Sequence, residues 1–104
     1  MTTVTWYEGD KEISICIKGH AGYRAKDDIV CSAISILGQT MISYLAVSDC
    51  KSDYSIRTGC IWAHAKGDDV KVVLQVIMAG FHLLEDQYPD YVKVVRGCCM
   101  QRNP

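Results

Sequence analysis

Between Gly19 and Ser35 the chain reads Gly-His-Ala-Gly-Tyr-Arg-Ala-Lys-Asp-Asp-Ile-Val-Cys-Ser-Ala-Ile-Ser. Two side chains in this stretch carry nucleophile-and-base chemistry, Cys31 and His20. Asp28 is a good N-cap, because its carboxylate can accept the free N–H groups two or three residues on. Ile29, Val30 and Cys31 then become the first three positions of a helix. A thiol there sits beside free backbone N–H groups and the positive end of the helix dipole. Such a seat favours thiolate and lowers a thiol pKa from about 8.5. The negative charges of Asp27 and Asp28 oppose that effect, and Arg24 and Lys26 partly offset them. His20 ends the preceding strand, and the loop between is long enough to fold back on the helix start. A cysteine thiolate with an imidazole base is the minimal apparatus of a cysteine peptidase. The same residues also fit a plainer arrangement, a packed cysteine and a surface histidine.

The elements that must hold this pair follow from hydropathy patterning. Residues 3–7 read as a strand with Val4 and Trp6 on one face, and Glu8-Gly9-Asp10 as a turn in which glycine supplies the positive φ. Residues 12–18 alternate, with Ile13, Ile15 and Ile17 on one side and Ser14, Cys16 and Lys18 on the other. The two strands predict a hairpin with one buried face. A loop covers 19–27, and a helix over 29–47 buries Val30, Ala33, Ile34, Leu37, Met41, Tyr44 and Leu45 at three- and four-residue steps. Residues 53–57 and 60–65 predict a second hairpin turning near Thr58-Gly59. Lys66-Gly67-Asp68 leads into a second helix over 69–87, with a stripe of Val70, Val73, Leu74, Ile77, Phe81, Leu84 and Tyr88. Pro89 ends it by excluding Tyr88 from helical geometry, and residues 91–96 form a last strand. The order strand-strand-helix-strand-strand-helix-strand predicts an α+β fold, a two-layer α/β sandwich with two helices packed on a mixed sheet. Residues 1–104 form one domain.

Composition narrows the function. Lys and Arg number 11 against 12 Asp and Glu, a net charge of −1. Proteins that grip phosphate backbone usually show a basic excess, so direct nucleic-acid binding is not expected. With 49% apolar and 22% charged residues the chain is globular rather than disordered. The longest greasy stretch, 72–84, is broken by Gln75, Gly80 and His82 and falls short of the roughly 20 apolar residues a bilayer needs. No membrane span is therefore expected. The first residues have neither the basic start nor the apolar run of a signal peptide, which predicts a cytoplasmic protein. Its six cysteines, Cys16, Cys31, Cys50, Cys60, Cys98 and Cys99, are then reduced thiols. No C-x-x-C pair occurs, so no metal site is expected, and no glycine loop of the phosphate-binding kind is present.

Gly19-His20-Ala21-Gly22-Tyr23, followed by Asp28-Ile29-Val30-Cys31-Ser32-Ala33-Ile34-Ser35, resembles the signature of the ribosomal-processing cysteine protease family, Prp. Tyr88-Pro89-Asp90-Tyr91-Val92 resembles that family's C-terminal segment, and length and element order match over essentially the whole chain. The resemblance implies a cytoplasmic cysteine endopeptidase, usually a homodimer, working without a cofactor. Its protein substrate would be bacterial large-subunit ribosomal protein twenty-seven. The enzyme would remove that protein's N-terminal extension between a Phe and an Ala before ribosome assembly. It places the nucleophile on Cys31 and the catalytic histidine on His20. Asp28, three residues before the nucleophile, and Ser35, four after, are supporting residues, and Gly19 gives the active-site loop its mobility. The chain departs from the family pattern just before the Asp-Ile-Val-Cys segment. Typical members carry a glycine there in a loop one residue longer, and Lys26-Asp27 takes that place here, with His20 and Cys31 11 positions apart.

Asp28 has two readings, N-cap or orienter of His20, and Ser35 has two, hydrogen bonding near the thiol or packing. Backbone N–H groups at the helix start are candidates for an oxyanion site. His64 reads as packed or surface, His82 as solvated beside Gln75, Glu85 and Asp86, and Cys16 as exposed or at a subunit contact. Cys98 and Cys99 follow the last strand. An aromatic side chain near the cleft is a candidate receiver for a substrate Phe. Other functions compatible with the residues are a paralogous peptidase with another protein substrate, a non-catalytic peptide-binding module and a thiol redox sensor. Fast, His20-dependent alkylation of Cys31 separates catalysis from mere binding.

Overall fold

In the computed structural model, which describes residues 1–97, seven elements follow in the expected order. They are β1 (Thr2–Gly9), β2 (Glu12–Lys18), α1 (Ile29–Val47), β3 (Lys51–Arg57), β4 (Cys60–Lys66), α2 (Val70–Gln87) and β5 (Val92–Arg96). The strands form one five-stranded sheet in the order β3-β4-β2-β1-β5. Every neighbouring pair is antiparallel except β1 with β5, which is parallel, so the sheet is mixed. Register puts Val4 opposite Ile17 and Ile17 opposite Ile61, while Ile15 faces Trp6 on one side and Ala63 on the other. These rows point at the helices and form the core with Met41, Leu45, Leu74 and Phe81. Phe81 is 0% exposed, a burial that contributes about 1.5–3 kcal/mol.

Four expectations change against this architecture. Gly9 stays in β1, and Lys11 carries the left-handed turn residue with φ 60. β2 is buried on both faces. It is the central strand, and on the side away from the helices Cys16 lies opposite the almost fully buried Trp62. Cys16 is thus neither exposed nor free for a subunit contact. Burial, and next the neighbouring Cys60 thiol, pushes the Cys16 pKa up.

The buried stripe of α1 is rotated from the expected one. Gly38 and Ile42 are buried and Tyr44 is 51% exposed. The helix crosses the sheet at Gly38, where a Cβ would stand 3.0 Å from Ile17 and 3.3 Å from Ile61. That close approach turns residues 34, 38, 41, 42 and 45 inward. On α2, Met78 joins the buried set, while Val73, Leu84 and Tyr88 pack at its edge.

The fourth change concerns membranes. α1 has 19 residues and a mean hydropathy of 1.6, long and apolar enough by length and composition to cross one. Scattered Ser, Thr and Gln residues break its apolar run without a single charge. In the fold its inner face packs on the sheet through Val30, Ile34, Met41 and Leu45.

Asp27 stands at φ 52, in the left-handed region, at the position where the resemblance places a glycine. A β-branched residue is strained there. Asp27→Val is expected to cost about 1–2 kcal/mol, and Asp27→Gly to stay within about 0.5 kcal/mol of the parent. Denaturant unfolding of the two variants checks both values.

Candidate active site

β2 ends at Lys18, and Gly19 turns the chain with φ 96. A side chain at 19 is excluded twice, by that φ and because its Cβ would stand 2.5 Å from the Met1 carbonyl oxygen. The Gly19 N–H donates to the Gly59 carbonyl at 2.9 Å, tying the start of the loop to the β3–β4 turn. His20 follows immediately, exposed to solvent. The far edge of its ring rests over Gly59, with Nε2 3.1 Å from where a Cβ on that residue would be.

Asp28 closes the other end of the loop. Its Oδ1 accepts the N–H groups of Val30 and Cys31, each at 3.0 Å. Its Oδ2 accepts those of Tyr23 at 3.0 Å and Arg24 at 3.3 Å. These bonds, that from Cys31 foremost, hold the carboxyl below the usual carboxylate range. The N-cap reading of Asp28 therefore describes its contacts. One carboxylate fastens the loop to the helix start.

Cys31 is half-buried in the first turn of α1, and its Sγ accepts the Ala21 N–H at 3.2 Å. That donor lies where negative charge on sulfur would need one. Ala21 itself is 2% exposed. Tyr23 packs edge-on against Tyr88 and Tyr91, with centroids 5.5 and 5.3 Å apart. The loop is bonded to its surroundings at Gly19, Ala21, Tyr23 and Asp28. Tyr88 was legible as the end of the α2 stripe and both tyrosines as part of the C-terminal motif, whose adjacency to the loop no spacing rule foretells.

Gly19, His20, Cys31 and Ser35 line one cleft of about 450 Å³, a size that takes a ligand side chain with its flanking backbone. The opposite wall is the tip of the β3–β4 hairpin, from Ile56 through Gly59 to Ile61. Sequence reasoning identified that turn but not its place at the site. The apolar lining is aliphatic, from Ile17, Ile34, Ile56 and Ile61, rather than the aromatic expected. Ser35 lies one helical turn beyond Cys31 on the cleft side.

At the helix start three of the free N–H groups are already engaged. Val30 and Cys31 give their N–H groups to Asp28 Oδ1, and Ser32 gives its own to the Asp28 carbonyl. Among the described residues no hydrogen bond joins His20 to Cys31 or to Asp28. His64 stacks on Trp62 at 6.5 Å and is not part of the cleft lining, and His82 lies on α2 at 4.0 Å from Glu85. Cys16, Cys31, Cys50 and Cys60 are free thiols, and Cys98 and Cys99 lie outside the described residues.

A family model described as cysteine protease Prp matches residues 1–93. The chain belongs to that family. Its fold matches solved Prp structures. The essential ribosomal processing protease Prp of S. aureus bound to a substrate peptide superposes with a TM-score of 0.73 at 18% identity, covering 93% of this chain and 100% of that one. The same protease with a covalently linked product peptide gives 0.72 at 19% identity, with 93% and 100% covered. SMU.848 from Streptococcus mutans gives 0.71 at 21% identity, with 93% and 96% covered. No curated protein matches the chain in sequence. Within this Prp fold the chain is a cysteine peptidase, and the cleft holding Cys31 is its candidate active site.

Proposed function

We propose that this Prp protein is a cytoplasmic endopeptidase acting in ribosomal processing. It removes the N-terminal extension of large-subunit ribosomal protein twenty-seven by means of a Cys31–His20 pair. The observation that carries the reading is the shared cleft, in which a first-turn cysteine and a loop histidine face the same 450 Å³ space. The S. aureus relative binds a substrate peptide and a covalently linked product peptide, which supports a peptide as the ligand here.

His20 takes the proton of Cys31 and the thiolate attacks the carbonyl carbon of the residue before the cut. The Ala21 N–H, directed at the sulfur, stabilises the thiolate before attack. His20 then protonates the leaving amine, and water hydrolyses the thioester. Asp28 serves by holding loop and helix together, and Ser35 by lining the cleft. The isoleucine wall suits the Phe of a Phe–Ala junction, since it offers apolar area without a competing polar group. Incubating the precursor ribosomal protein with the enzyme tests this. Mass spectrometry is expected to show a new N-terminus at the Ala, and an intact precursor contradicts the substrate.

The homodimer belongs to the same proposal. α2 exposes Val72, Val76 and Leu83 on one side, at 62%, 67% and 61%, an apolar row that a second copy would cover. Light scattering is expected to give twice the 11.6 kDa chain mass, and Val76→Lys to shift it toward the monomer. A monomeric parent contradicts this part.

A further inference from the structure

We propose that Gly59, in the β3–β4 turn, is a positioning residue for His20. The inference rests on the pairing of His20 with Cys31 and adds the element that sets where the imidazole lies. Three observations meet at this residue. Gly59 has φ 74, in the left-handed region. Its carbonyl accepts the Gly19 N–H at 2.9 Å, so the backbone leading into His20 is pinned to the turn. The ring itself lies on the bare Cα, with Nε2, Cε1 and Cδ2 at 3.1, 3.5 and 3.8 Å from an added Cβ.

His20 is exposed and among the described residues no hydrogen bond or ion pair fixes it, so the floor beneath the ring decides its position. A methyl group at 59 presses on both the turn and the ring; the turn is restrained by the Gly19 bond, and the exposed ring is the freer of the two. The imidazole therefore gives way.

The step affected is the proton transfer from Cys31 to His20, in which the S–H bond breaks and an N–H bond forms on the ring. The ring must give by only a few tenths of an ångström, but proton transfer depends steeply on how donor and acceptor are placed, so a small shift of the base slows the step. The β3–β4 hairpin is then part of the catalytic apparatus through His20, although it holds no reacting group.

Gly22 provides an internal control. It has φ 71, so an alanine there bears the same backbone strain, yet an added Cβ meets nothing within 4 Å. The experiment compares the iodoacetamide alkylation rate of Cys31, read by peptide mapping from about pH 5 to pH 9, in the parent, Gly59→Ala, Gly22→Ala and His20→Ala. Gly59→Asn is included because asparagine tolerates a positive φ while still carrying the Cβ, which keeps the comparison decisive if Gly59→Ala fails to fold. Both Gly59 variants are expected to alkylate about tenfold more slowly near pH 7, with a profile moved toward that of His20→Ala. Gly22→Ala is expected to follow the parent.

Parent-like rates in the Gly59 variants, with His20→Ala slowed, overturn the positioning role and leave the Cys–His pair standing. Equal slowing in Gly22→Ala also overturns it, since backbone strain alone then accounts for the loss. A parent-like rate in His20→Ala overturns the pair itself and this inference with it.

Discussion

Cys31→Ala is expected to abolish cleavage of an extension peptide, by about 10⁴-fold or more, and to leave the fold in place. The two effects separate because the sulfur contributes little to stability. Cys31 is half-buried and its Sγ accepts one hydrogen bond, from Ala21, a loss of about 1 kcal/mol. The helix start is held by Asp28 through backbone N–H groups, which alanine retains. Chromatography of the products against time, with thermal melts of both proteins, checks the pair of outcomes. Turnover equal to the parent removes Cys31 from the mechanism. His20→Ala is expected to fall less far, by roughly 10²–10⁴-fold, the usual worth of a general base.

Asp28→Ala is expected to damage stability and activity together, without Asp28 touching the reacting atoms. It strips the acceptor from four N–H groups, those of Tyr23, Arg24, Val30 and Cys31. Loop and helix then lose their common anchor, and with it the setting of both His20 and Cys31. The pH dependence carries a sign. The folded carboxyl is held below its ordinary pKa, so the ionised form is the stabilising one. Its contribution is fully present above the unfolded pKa of about 3.9 and is lost as pH falls through the lower folded value. Melts of the parent and Asp28→Ala from about pH 7 down to about pH 3 are expected to show a gap that narrows at the acid end. A gap of constant width contradicts the four-bond account.

Much of the site was legible because local rules govern its parts. Asp28 before an apolar helix is an N-cap by residue type, and the structure adds that its second oxygen reaches back to Tyr23 and Arg24. Ile13, Ile15 and Ile17 revealed the inner face of β2 by alternation. The outer face was not legible, since the burial of Cys16 depends on β2 being central and on Trp62 crossing from β4. Tyr44 and Ile42 exchanged places because the rotation of α1 is set by the sheet's approach at Gly38, a tertiary contact that helical periodicity does not encode. The cap rule also carried a consequence that the sequence reading missed. The N–H groups of Val30 and Cys31 are already bonded to Asp28, and that of Ala21 to the Cys31 sulfur. The hairpin tip at Gly59 came to the site through topology alone, 39 residues beyond His20.

Peptide mapping of the enzyme after acid-quenched incubation with the extension peptide tests the central claim most directly. The account predicts an acyl group, the product ending in Phe, in thioester linkage to Cys31 and to no other cysteine. Acylation at Cys16, Cys50 or Cys60, or cleavage proceeding with no cysteine acylated, would contradict it.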